Sequence, residues 1–241
     1  GGKILATDSA GGVLPENRGG HGGVVYAHGR NIQLSLNTVT VRGGHVAGSG
    51  AGIYAYATET SKIDAKVSTF RGVKAIKNGG GIYNYATTAT IILNNSTIDN
   101  AYAGLNGGGI YNYSTVGNAT ITIDDGGIPN ATTKISNNSA EQNGGGIYNE
   151  SEQASAIISA TNAEFITNKA TLGSGGGIYN ISSQNSEVFF NRVLMSSNRA
   201  MDNNSNGGAI YNVARNLAQD TPKDVLAKIT AVHSTIAKGY V

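Results

Sequence analysis

The chain has 241 residues, of which 35 are glycine, 13% are charged and none is cysteine, with a formal net charge of +2. Charge this sparse, with no run of Lys or Arg, excludes the phosphate-neutralising stripe that nucleic acid requires; without thiols there can be no disulfide staple or thiolate metal site. No apolar stretch approaches the roughly 20 residues of a membrane span, so membrane insertion of this segment is not expected.

Residues 1–21 combine an apolar start at Ile4 and Leu5 with a turn at Pro15-Glu16-Asn17, and are expected to form an imperfect first coil. From there to residue 241 one step recurs: glycines, an apolar residue, then tyrosine. Its full form, Gly-Gly-Gly-Ile-Tyr-Asn, occurs at Gly79 to Asn84, Gly107 to Asn112, Gly144 to Asn149 and Gly175 to Asn180. Looser copies run from Gly22 to Ala27, Gly50 to Ala55 and Gly207 to Asn212, so the tyrosines fall at 26, 54, 83, 111, 148, 179 and 211. Successive tyrosines are therefore 28, 29, 28, 37, 31 and 32 residues apart, the period of one β-helix coil of three short strands and three turns.

Within the coil from Tyr83 to Ile110, Thr90 to Asn94 reads as one strand, Ser96-Thr97-Ile98 opens a second, and Gly109 to Asn112 forms the third. Period-two alternation turns Ile91 and Leu93 to one face, and Ile110 with Asn112 to one face. The same inward positions recur along the chain. One column is Leu34, Ile63, Ile91, Ile158, Val188 and Ile229; a second is Val41, Phe70, Ile98, Ile135, Phe165, Met195 and Ile236. The third is Val25, Ile53, Ile82, Ile110, Ile147, Ile178 and Ile210.

The expected fold is thus all-β: a right-handed parallel β-helix of about seven coils of 28–37 residues, about 30 to 35 Å long at about 4.8 Å per coil. No window holds helical spacing, and a run such as Gly79-Gly80-Gly81 would cost about 1 kcal/mol per glycine inside a helix. Two insertions, at 124–130 and 215–228, are expected to leave the rod as loops. The end at Val241, inside a repeat, points to a segment of a longer protein.

The glycine-glycine-x-isoleucine step is paired with a second motif, Phe165-Ile166-Thr167-Asn168, Met195-Ser196-Ser197-Asn198 or Ile135-Ser136-Asn137-Asn138. Together they resemble the repeats of the chlamydial polymorphic outer membrane proteins and related bacterial autotransporter passengers. The resemblance implies a secreted or surface-displayed β-helix used for adhesion, extracellular or on a bacterial cell surface.

Two side-chain series stand out for function. Asn84, Asn112, Asn149, Asn180 and Asn212 share the face of the inward isoleucines and are expected to stack as a structural ladder. The tyrosines alternate outward, and Tyr54 with Tyr56, Tyr83 with Tyr85, and Tyr111 with Tyr113 form a double column, flat and partly exposed, suited to a glycan or a surface protein. Catalysis is not expected. Gly20-His21-Gly22 is similar to a polygalacturonase step, but Asp124-Asp125 follows it where that family's acids precede it, and two adjacent loop carboxylates stay solvated. No cofactor or metal site is expected, since His21, His28, His45 and His233 show no ligand spacing. The alternative role is a structural subunit that stacks on copies of itself into a fibre or layer.

Overall fold

The structure is a computed structural model that describes residues 3–8, 20–215 and 226–237. The described residues form 24 strands and no helix, stacked as a parallel β-solenoid of about six turns.

One coil shows the pattern. A tyrosine strand (Ile82–Ala86) is followed by a flank strand (Thr88–Asn94), an anchor strand (Thr97–Asp99) and a short strand (Tyr102–Ala103). Each pairs in parallel with its counterpart one coil on: Ile82 with Ile110, Ile91 with Ile121, Ile98 with Ile135, and Ala103 with Ala140. Identical registers turn a sequence repeat into columns, so each coil buries its apolar edge only because neighbours lie above and below. The core columns are fully buried through the body, with Ile63, Phe70, Ile110 and Phe165 at 0% exposure.

The fold adds three things to the expectation. First, a coil has four strands; the fourth is only two residues long and brings a column of Ala75, Ala103, Ala140, Ala170 and Ala200. Second, Ile121 fills the flank column in the coil with the first insertion. The insertion falls between flank and anchor strands there, so an offset counted from the anchor misses it. Third, Lys3–Asp8 is not a parallel coil but pairs antiparallel with Ile32–Asn37; the rest of the expected first coil, 9–19, lies outside the described residues. Of the insertion at 215–228, residues 216–225 also lie outside them.

Three corners per coil adopt left-handed backbone. Glycine holds the one before each tyrosine strand, from Gly22 to Gly207, and Gly43, Gly72, Asn100, Asn137, Thr167 and Ser197 hold the one between anchor and short strands. Thr38, Val67, Asn95, Asn162, Arg192 and His233 hold the corner between flank and anchor strands. The 124–130 insertion replaces that corner in its coil. It folds on its own carboxylates: Gly126 N donates to Asp124 Oδ1 (2.6 Å) and Gly127 N to Asp125 Oδ1 (2.9 Å).

Candidate functional site

The tyrosine strands build the most ordered feature of the molecule. Tyr26, Tyr54, Tyr83, Tyr111, Tyr148, Tyr179 and Tyr211 stack ring on ring, with centroids 4.9–5.1 Å apart and planes within 18°. His21 packs against the Tyr54 ring beside Tyr26, its plane tilted by 40° with centroids 4.6 Å apart, and its Nδ1 accepts from the Ser49 amide at 2.9 Å. Burial, and then the Lys77 charge, lower its pKa.

Much of this inner column is more buried than the partly exposed face expected, although Tyr26, Tyr83 and Tyr211 stay part-exposed. Tyr54, Tyr111, Tyr148 and Tyr179 are only 8–9% exposed, because rings above, below and alongside cover them. Burial pushes the Tyr54 phenol up to about 12 and raises those of Tyr83, Tyr111 and Tyr148 as well. The outer column lies two residues on: His28, Tyr56, Tyr85 and Tyr113 stack at 5.2, 4.9 and 5.2 Å. His28 is exposed and the three tyrosines are half-buried. In a column of parallel rings the faces cover one another, so what reaches solvent is edges and hydroxyls.

Behind the rings, on the inward face of the same strands, each asparagine amide bonds the next coil. Asn84 Nδ2 donates to Asn112 Oδ1, Asn112 to Asn149, Asn149 to Asn180 and Asn180 to Asn212, each at 2.8 Å. The second amide proton satisfies strand carbonyls, as from Asn149 to Ala119 O at 3.1 Å. A second ladder links Asn138, Asn168 and Asn198 at 3.0 and 2.9 Å, and a third, not foreseen, links Asn78, Asn106 and Asn143 beside the glycine corner. These ladders hold the strands that present the rings.

The first ladder stops at Ala55, which pairs with Asn84, and buried Asn84 Oδ1 and Ser61 Oγ have no partner among the described residues. Ala55→Asn is expected to give Asn84 Oδ1 its missing donor and raise stability by about 1 kcal/mol in urea denaturation. A loss instead would mean the lower coil lacks room for the amide.

The outer column ends at Tyr113, whose register partner in the next coil is Glu150, followed by Ile181 and Val213. Glu150 accepts from the Tyr148 hydroxyl and exposed Glu152 from the Tyr113 hydroxyl. Burial raises the Glu150 carboxyl; the Tyr148 hydrogen bond opposes this, the Glu152 charge adds to it, and Arg215 opposes it. Burial raises the Tyr179 phenol, and the Arg215 charge opposes that. Glu150, Glu152, Gln153, Ile181 and Arg215 line a cleft of about 340 Å³ there. The sequence reading missed both glutamates, although Tyr148-Asn149-Glu150 against Tyr111-Asn112-Tyr113 marks the break.

Two other clefts border the rod. One of about 410 Å³ is lined by Asn31, Gln33, Thr60, Lys62 and Thr90, in the coils of Tyr26, Tyr54 and Tyr83. The second, about 490 Å³, lies beside the insertion and is lined by Asn162, Glu164 and Arg192 among others; Asn162 donates to Asp125 and accepts from Arg192 Nε at 2.6 Å, and Lys134 pairs with Glu164 at 3.1 Å.

Comparison with curated proteins and with solved structures returns no match. Two stretches, 132–150 and 192–213, match the Chlamydia polymorphic membrane protein (Chlamydia_PMP) repeat. Each covers the same piece of a coil, from the anchor strand through the short strand and glycine corner into the tyrosine strand. The chain therefore carries repeats of the Chlamydia polymorphic membrane protein type, folded as coils of a parallel β-solenoid.

Proposed function

We propose that this chain is a rigid, non-catalytic rod of a bacterial surface protein that holds a glycan on the outer aromatic column and the cleft at its end. Surface association follows the repeat type, with which outer-membrane or surface location is linked. The carrying observation is the division between the two columns: Tyr54, Tyr111, Tyr148 and Tyr179 of the inner one are buried, whereas Tyr56, Tyr85 and Tyr113 of the outer one are half-buried and stacked at about 5 Å intervals. Such a row offers hydrogen-bonding groups on a rigid support, with little side-chain entropy left to lose on binding. The absence of catalysis is supported by Asp124 and Asp125, which are taken up by the amides of their own loop.

A glycan array run with the native chain and with a Tyr56→Ser, Tyr85→Ser, Tyr113→Ser triple variant tests this. Specific binding that falls at least tenfold in a variant of unchanged circular dichroism is the expected result. Binding that the triple variant retains in full would rule out the aromatic face.

The competing role is a subunit that stacks on its own copies. Concentration-dependent assembly in analytical ultracentrifugation without any glycan would support it.

A further inference from the structure

We propose that the corner between anchor and short strands in the coils of Tyr26 and Tyr54 is a docking surface for an anionic polysaccharide, whose sulfate or carboxylate groups are held by Arg42, Arg71 and Lys74. This surface is separate from the outer aromatic column and shares with that reading only the surface location of the chain.

Charge is sorted along the rod. Residues 20–77 carry seven Lys or Arg against two acids, a net +5, whereas residues 78–165 carry one against seven, a net −6. Register gathers part of the basic excess at one corner: Arg42 pairs with Arg71 and His45 with Lys74, one coil apart at about 4.8 Å, and all four are exposed. Two guanidinium groups stacked in register repel each other, and an oxyanion bound across them relieves the repulsion.

The upper border of this corner is already ordered. Arg71 Nε donates to Asp99 Oδ2 at 2.9 Å, while Asp99 Oδ1 accepts from Ser136 Oγ at 2.9 Å and Asn137 Nδ2 at 2.8 Å. The acid nearest the cations is thus engaged from three sides, yet the Arg71 side chain stays 56% exposed, and a guanidinium has five N–H donors to offer. Lys74 Nζ lies 4.9 Å from the centroid of the Tyr102 ring, and neither Arg42 nor Lys74 enters an ion pair among the described residues. At Gly43 and Gly72, which turn the corner, an added Cβ would meet nothing within 4 Å; the coils above carry Asn100, Asn137, Thr167 and Ser197 at the same place. A chain can therefore lie close to the backbone between the cations.

The shape of the charge selects the partner. The basic stretch runs for about two coils, roughly 10 Å along the axis, before the acidic coils begin. Duplex nucleic acid, with one charge per about 1.7 Å, would set phosphates against those acids, whereas a single sugar chain that crosses the rod at this corner does not.

Biolayer interferometry on immobilised heparin and hyaluronate tests this, with duplex DNA, polyglutamate and phosphatidylserine vesicles as the other polyanions. Binding to heparin is expected, weakening as salt is raised. Arg42→Gln with Lys74→Gln should weaken it about tenfold or more. Arg42→Lys with Lys74→Arg keeps both charges, and Lys169→Gln with Lys228→Gln removes two elsewhere; each pair is expected to stay within about threefold of native. Binding to heparin alone would assign sulfate as the group held, and binding to hyaluronate as well would extend it to carboxylate. No binding to either polysaccharide, an equal loss in the two Gln pairs, or tighter binding of DNA, polyglutamate or vesicles than of either polysaccharide would overturn the proposal. The Tyr56→Ser, Tyr85→Ser, Tyr113→Ser variant is expected to bind heparin as the native chain does, so failure of this surface and failure of the aromatic face are read separately.

Discussion

Gly145→Ala is expected to cost about 4 kcal/mol or more, enough to prevent a stable fold at ordinary temperature. A Cβ at this position would lie 2.4 Å from Gly176 O and 2.4 Å from the Lys169 carbonyl carbon and oxygen. All three atoms are backbone of the next coil, which hydrogen bonds hold at its spacing, so no side chain can move aside. Gly108 meets the same obstacle, 2.3 Å from Gly145 O. Gly127→Ala is the control. Its φ is +73°, but nothing lies within 4 Å, so only the left-handed backbone is penalised, by about 1–2 kcal/mol. Urea denaturation followed by circular dichroism separates the two; equal, small losses would mean that the coils do not approach as closely as described.

Asn149→Asp should be nearly as damaging at neutral pH, by about 3–5 kcal/mol. Asn149 is fully buried, accepts from Asn112 at 2.8 Å and donates to Asn180 Oδ1 at 2.8 Å and Ala119 O at 3.1 Å. The carboxylate keeps the size and the accepting role but sets oxygen against two oxygens, with a charge that has no cation beside it. Burial raises the folded-state pKa of the introduced acid above its unfolded value of about 3.9, so the deficit is smallest below that pH and grows as pH rises through the folded pKa. Denaturation at pH 4 and pH 7 is expected to show the larger loss at pH 7. A loss independent of pH would point to packing instead of ladder chemistry.

What could be read from the sequence was what the repeat dictates. The glycine step recurs every 28–37 residues, and the Ile110 and Phe70 columns follow from counting outward from it. The Ala103 column could not be counted, because a two-residue strand carries no alternation. Nor could the left-handed corners at Val67 and Arg192, where the residue type argues against the conformation that the neighbouring coils impose. Alternation correctly separates Tyr111 from Ile110 by face, yet it says nothing of burial. That depends on rings from three coils and on Tyr113 alongside, which exist only once the register is set. The cleft at Glu150 was within reach, since it is the first departure from Tyr-Asn-Tyr after three coils, Tyr54-Ala55-Tyr56 included, that place tyrosines two residues apart.

Hydroxyl-radical footprinting with peptide mass spectrometry tests the division between the columns most directly. Oxidation is expected at Tyr56, Tyr85 and Tyr113, with protection of Tyr54, Tyr111, Tyr148 and Tyr179. Equal labelling of the two sets, or stronger labelling of Tyr111 than of Tyr113, would contradict buried structural rings behind a half-buried contact column.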